Sequence, residues 1–367
     1  MVLQIYLRRV RASTINMENG FLKFYRKILL SLLTSAAVAF TIPASYAQES
    51  LPGEGKTVQL AQPTGDDTGW ILTYIYAQLL EELGYEALDV LTVDLPVAFV
   101  SMAQRDVDIY PYGWFPLHNT YLDGVANDVE VVGHVVEQGA LQGYLVDRAS
   151  AEALNITSLE DFKRDEVKQA FDRDGDGRAD LVACPAGWGC ELTITYQMAA
   201  FELGDHVNEI RAGYSASMAD AIAAYQSGEP IFFYTWTPNW TVNELVPGED
   251  VVWIETPSIE LPEEQQELAD AAIVSGVDGC VSDPCQLGWP VNDISAIASS
   301  AFLEENPAAR RMLELASVDI SFIYAQNAAM RAGENAEEDL RRQAAEYIEA
   351  NRETVDDWIE QAVAAAQ

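Results

Sequence analysis

The chain has 367 residues, 49% of them apolar, enough to pack two domains. Its charge is one-sided, with 58 Asp and Glu against 21 Lys and Arg. Such a surface repels nucleic-acid phosphates and anionic lipid, which argues against both as partners; it also attracts cations and keeps a protein dispersed in a salty medium.

The N-terminus reads as an export signal. Arg26 and Lys27 precede an apolar stretch, Ile28–Phe40, that is too short to span a bilayer as a helix. Ala44-Ser45-Tyr46-Ala47 follows, and cleavage is expected between Ala47 and Gln48. Met17 offers an alternative start that gives a leader of more usual length. Removing residues 1–47 leaves 320 residues with 15 basic and 57 acidic side chains, a formal charge of −42. No cysteine stands at the cleavage point, so no lipid anchor is expected there, and the product is expected to be soluble in the periplasm.

The mature chain alternates strand and helix. Thr57–Ala61 reads as a strand, 69–83 as a helix ended by Gly84, 89–93 as a strand, 95–105 as a helix and 107–110 as a strand. The alternation predicts an α/β domain with a largely parallel sheet. After a strand at 143–147, a second unit is expected from about 147 to 252. It holds helices at 158–162, 191–203 and 217–226 and strands at 230–234 and 250–256. Residues 257–289 read as an irregular connection, and 295–305, 308–315, 320–330 and 336–365 as helices that cover a sheet. The chain thus divides into one lobe from 48–146 plus 253–367 and an inserted lobe from 147–252. A small-molecule cleft is expected between these discontinuous α/β domains.

Two segments echo one another. Val107–Pro116 and Ile231–Pro238 each run as a strand into Trp-x-Pro, carrying Trp114 and Trp236. Trp188 lies in the glycine-rich turn Pro185–Cys190, just before a helix. A quaternary ammonium cannot donate a hydrogen bond and is recognised by the negative faces of rings, each contact contributing about 1–2 kcal/mol when desolvated. Gly189 and Cys190 supply backbone N–H groups at a helix N-terminus, which suits a carboxylate. His118 lies four residues beyond Trp114, so a helical stretch here would point both side chains to one side and let the imidazole donate to the same carboxylate. The residues therefore suit both ends of a zwitterion.

Four cysteines fall in two local pairs, Cys184 with Cys190 and Cys280 with Cys285. Outside the cytoplasm short disulfides are the natural reading, but spacing does not choose among the three pairings, and zinc is a weaker rival with no histidine nearby. Asp172, Asp174, Asp176 and Asp180, with Arg178 offering a backbone carbonyl, resemble the first half of a calcium loop. Ala183 occupies the twelfth position, where a bidentate Glu belongs, so a solvated Asx-rich turn competes with a structural Ca²⁺ site. The three histidines, His118, His134 and His206, are joined by no nucleophile elbow or Walker loop, so no enzyme is expected.

Four segments carry a resemblance: Trp114-Phe-Pro-Leu-His118, Phe171–Leu181, Cys184-Pro-Ala-Gly-Trp-Gly-Cys190 and Tyr234-Thr-Trp-Thr-Pro238. From about Leu51 to its end the chain resembles the periplasmic glycine betaine/proline betaine-binding component of ABC importers. The resemblance implies the two-lobed type II periplasmic binding protein fold, a hinge-like closure and delivery of ligand to an inner-membrane permease driven by a separate ATPase subunit. It implies a box of Trp114, Trp188 and Trp236 around the cation, with Gly189, Cys190 and His118 on the carboxylate. It further implies a Cys184–Cys190 disulfide and a monomer. The Cys280–Cys285 pair and the acidity depart from the family pattern. Choline, carnitine and dimethylsulfoniopropionate are the alternative ligands.

Overall fold

The computed structural model describes residues 50–367, and the expected export signal lies outside them. The larger elements, in chain order, are β1 (Ala61–Pro63), α1 (Trp70–Glu82), β2 (Leu91–Val93), α2 (Leu95–Gln104), β3 (Ile109–Phe115) and β4 (Val129–Ala140). The chain continues through β5 (Gln142–Asp147), β6 (Ala179–Val182), α3 (Gly189–Ala200), β7 (Val207–Ile210), α4 (Tyr214–Gln226), β8 (Phe232–Trp236) and β9 (Val251–Ile254). It ends with β10 (Asn292–Ser299), α5 (Pro307–Leu315), α6 (Ile320–Arg331), α7 (Glu337–Ala350) and α8 (Arg352–Ala365). No helix among the described residues is long and apolar enough to cross a membrane.

Two sheets define two lobes. In the first, β10 runs between β3 and β4 and is antiparallel to both, while β1 and β2 form a parallel pair linked to β3 through a Leu60–Ile109 bridge. In the second, the strand order is β9-β5-β8-β6-β7, with β8, β6 and β7 parallel and β5 antiparallel to both of its neighbours, β8 and β9. The expectation of a largely parallel sheet is therefore corrected for the first lobe, whose central strand is antiparallel to both neighbours. Residues 295–299, expected to begin a helix, belong to β10, and helix follows only over Ser300–Glu305. Nearly every residue of β10 is buried, because the strand is central and covered on both faces. Its Ile-Ala alternation with small residues does not resemble an amphipathic strand. The expected helix over 336–365 is broken at Asn351 into α7 and α8.

The crossings between lobes lie at 140–142 and near 290–292. The expected boundaries assigned 253–289 to the first lobe. Its start instead bonds to the second: Trp253 and Ile254 of β9 pair with Leu145 and Tyr144 of β5, and Glu255 N–H donates to Thr157 O. The remainder folds back on this strand, with Trp253 N–H donating to Gly279 O and Thr256 N–H to Gln286 O. Cys280 and Cys285 are disulfide-bonded within this segment, and Cys184 and Cys190 bracket the turn that leads into α3.

The core follows from the periodicities. In the second lobe Tyr144, Phe232 and Phe162 pack as fully buried rings, with Phe162 and Phe232 stacked at 4.0 Å. In the first, α1 buries Ile71, Leu72, Ile75, Tyr76, Leu79 and Leu80, and the Tyr76 hydroxyl donates to Ala316 O at 2.7 Å. Each fully buried aliphatic side chain there contributes about 1.5–3 kcal/mol.

Candidate ligand-binding site

A cleft with about 470 Å³ of empty space, its mouth included, lies between the lobes. All six residues singled out for ligand contact line it: Trp114, His118, Trp188, Gly189, Cys190 and Trp236. Trp114 comes from β3 in the first lobe, while Trp236 ends β8 and Trp188 precedes α3 in the second. Trp236 is opposite Gln142 in the ladder, so the carboxyl end of β8 meets the start of β5, where the chain crosses between lobes. Strand ends of this kind are where α/β sheets gather ligand loops.

Alternation supplies more aromatic wall than the tryptophans alone. Tyr110, Tyr112 and Trp114 share one face of β3, and Tyr234 and Trp236 share one face of β8. The Tyr112 ring meets Trp114 edge-on at 5.8 Å, and Trp188 meets Trp236 edge-on at 5.6 Å. Tyr214 wedges behind them, 4.6 Å from Trp236, and its hydroxyl donates to Tyr234 O at 3.0 Å. The Tyr234 hydroxyl donates to Gln142 Oε1 at 2.7 Å. Sequence reasoning passed over Tyr110, Tyr112, Tyr234, Gln142 and Asp66, all of which line the cleft. The period-two spacing of the aromatics was the signal that could have found the tyrosines.

The other end of the cleft is made of backbone and one imidazole. Gly189 and Cys190 form the first turn of α3, whose leading N–H groups have no acceptor within the helix. Buried Gln197 holds this helix in place: it accepts from the Tyr144 hydroxyl at 2.7 Å and donates to Gly288 O at 2.8 Å. A Cβ on Gly189 would lie 2.9 Å from Leu117 Cγ and 3.1 Å from His118 Cδ2. Glycine thus lets the helix end of one lobe approach the Trp114–His118 turn of the other.

That turn is not helical, which corrects the expected geometry. Trp114 is still in β3, Phe115–Pro116 is a cis peptide, and the chain reverses so that His118 N–H donates to Trp114 O at 2.7 Å. Trp114 N–H in turn donates to His118 Nδ1 at 3.0 Å. Leu117 N–H donates to Asn292 Oδ1 at 3.0 Å, so the second crossing between lobes pins the same turn. Burial pushes the His118 imidazole down to about 3. The ring is therefore neutral, and with Nδ1 accepting, its proton sits on Nε2, leaving an N–H donor.

The aspartate loop lies apart from this cleft. Asp172, Asp174 and Asp176 bring carboxylate oxygens within 4.8 Å of one another, but Asp180 is not among them. Asp180 instead accepts from Arg173 N–H at 2.9 Å and Asn208 Nδ2 at 2.8 Å. Asp172 accepts the N–H groups of Gly175, Asp176 and Gly177, and Arg178 pairs with Asp176. The loop is a closed network of Asx turns.

Two lobes carrying a small-molecule cleft at their crossing strands define a type II substrate-binding protein. Solved structures share this fold: lactococcal OpuAC in its closed form complexed with glycine betaine, at TM-score 0.62 and 18% identity, is covered to 99% by 83% of this chain. The ProX protein of Borrelia burgdorferi matches at TM-score 0.64 and 16% identity over 85% of this chain and all of that one. Residues 56–350 match the model of the substrate-binding domain of ABC-type glycine betaine transport systems, and the chain belongs to that family. It is an extracytoplasmic transport component and not an enzyme. It is similar to the glycine betaine/proline betaine-binding periplasmic protein of Escherichia coli (strain K12), with 36% identity over 336 residues, 91% of this chain and 98% of that one.

Proposed function

We propose that this protein captures glycine betaine or proline betaine in the cleft and delivers it to an inner-membrane permease served by a separate ATPase subunit. The observation that carries the reading is the two-ended cleft: aromatic rings gathered at one end, neutral N–H donors at the other. Trp114, Trp188 and Trp236 face the trimethylammonium group with ring surfaces, a contact that needs no hydrogen bond. The N–H groups of Gly189 and Cys190, at the positive end of α3, and the Nε2–H of His118 receive the carboxylate. Closure of the lobes then buries the ligand and presents a single conformation to the permease. Export through a signal cleaved after Ala47 places the protein in the periplasm, consistent with its two disulfides.

Calorimetric titration with glycine betaine, proline betaine, choline, carnitine and dimethylsulfoniopropionate tests the reading. The two betaines are expected to bind most tightly, and choline, which leaves the donors of α3 and His118 unused, more weakly. Failure of every quaternary or sulfonium ligand to bind would remove the cage interpretation.

A further inference from the structure

The loop between β1 and α1 brings a carboxylate to the cleft. Asp66 lines the cavity and, among the described residues that do so, is the one with a formal charge, since His118 is neutral. The loop is fixed on both sides. Thr64 N–H donates to Val93 O at 3.0 Å, Trp70 Nε1 donates to Pro63 O at 2.9 Å, and Asp66 itself accepts Thr68 N–H at 3.0 Å. Gly69, at the start of α1, has no side chain where a Cβ would lie 2.5 Å from the Tyr112 ring, so the loop and that ring pack directly. From Gly65 the loop reaches the other lobe, where a Cβ would stand 3.6 Å from Trp188 Cζ2.

Asp66 therefore belongs to the aromatic end. Its charge acts on Tyr110, Tyr112, Tyr214 and Tyr234, each of which burial first and Asp66 in addition hold above the ordinary phenol range. These rings adjoin Trp114 and Trp236. The imidazole at the donor end, by contrast, is shifted by burial alone. The Tyr112 hydroxyl is buried beside the Asp66 carboxylate, and hydrogen bonding to it adds to the upward shift. Tyrosines stay protonated in this field, so the carboxylate is the negative charge that a ligand entering the cage meets.

We propose that Asp66 is the counter-charge for the ligand's cationic group and, with Tyr112 at its side, a specificity-determining residue of the cage. The inference rests on the betaine reading of the cleft and deepens it. A ring surface attracts a cation through a quadrupole, a short-range effect, whereas a carboxylate adds a full charge whose attraction is strengthened once closure removes water. The two ends are then unequal. The ligand's cation meets rings and a formal charge; its carboxylate meets neutral donors only. The site then selects for a positive methylated head as well as for an anionic end.

The test pairs a charge deletion in the protein with one in the ligand. Asp66→Asn keeps the oxygen that accepts Thr68 N–H and removes the charge. 3,3-Dimethylbutanoate has the shape and carboxylate of glycine betaine with a neutral tert-butyl head. Asp66→Asn is expected to weaken glycine betaine and choline by about tenfold or more while changing 3,3-dimethylbutanoate little. Asp66→Glu is expected to recover part of the loss, which a purely structural role for the loop would not produce. Glycine betaine affinity within about twofold of wild type in Asp66→Asn would overturn the proposal, as would equal loss for all three ligands with no recovery in Asp66→Glu. If wild-type protein binds no trimethylammonium ligand at all, the betaine reading fails instead, so the two failures are separable.

Discussion

The two ends of the cleft are built by different means. The aromatic end is a property of side chains: Tyr110, Tyr112 and Trp114 on one strand face, Tyr234 and Trp236 on another, with Trp188 brought from a turn. The donor end is a property of backbone: two N–H groups at the start of α3, and a histidine whose proton is placed by a main-chain N–H. Rings tolerate a range of methylated heads, because a quadrupole has little directional demand. Hydrogen-bond donors at fixed positions do not, since a ligand lacking the acceptor leaves them unpaired when the lobes close. On the proposed reading, breadth in head-group shape and discrimination by carboxylate reside at opposite ends of one small cavity.

The largest break in this comparison comes from His118→Ala. Losing a charge-assisted hydrogen bond in a buried site is expected to cost a carboxylated ligand about 2–3 kcal/mol. Choline, with no carboxylate, is expected to change little. Calorimetry on both ligands checks this, and equal losses would mean that His118 acts by holding the Trp114 turn.

Gly189→Ala acts on the boundary between the ends. Its Cβ would press on Leu117 and His118 across the lobes, and overpacking at such a contact costs about 1–3 kcal/mol. Betaine and choline are both expected to weaken, because the cost falls on closure. The melting temperature without ligand is expected to change less than affinity. Trp188→Ala is the corresponding change at the aromatic end, expected to remove about 1–2 kcal/mol from every methylated cation. Unchanged choline binding by that variant would show that Trp188 does not face the head group.

The same contrast explains what was legible in the chain. Trp114, Trp188 and Trp236 could be chosen because a large aromatic at a strand end or glycine-rich turn has few other tasks there. Gly189 and Cys190 could be placed only by locating the start of α3. Asp66 gave no signal, as one Asp among many in an acidic chain, and its role depends on a loop folding back over Tyr112. Asn292 was equally silent, though its side chain fixes Leu117 and with it the His118 turn. In the fold, amphipathic helices such as α5 and α6 were visible from their apolar stripes. Strand β10 was not, because burial on both faces removes the polar alternation that marks a strand. Missing β10 also hid the antiparallel centre of the first lobe and shifted the boundary between lobes.

The smallest effect expected is that of pH, and it bears on the donor end alone. A histidine that bound the carboxylate as an imidazolium would lose affinity as pH rose through its titration. His118 is instead buried and pushed down to about 3, so its neutral form persists throughout ordinary conditions. Its Nδ1 accepts Trp114 N–H, an arrangement that a second ring proton would destroy. Betaine affinity is therefore expected to stay flat between about pH 5 and 8, the window in which an ordinary histidine changes charge. Titrations at several pH values measure this directly. A fall in affinity with rising pH, absent in His118→Ala, would show a charged imidazolium at the carboxylate and would replace the neutral donor with an ion pair.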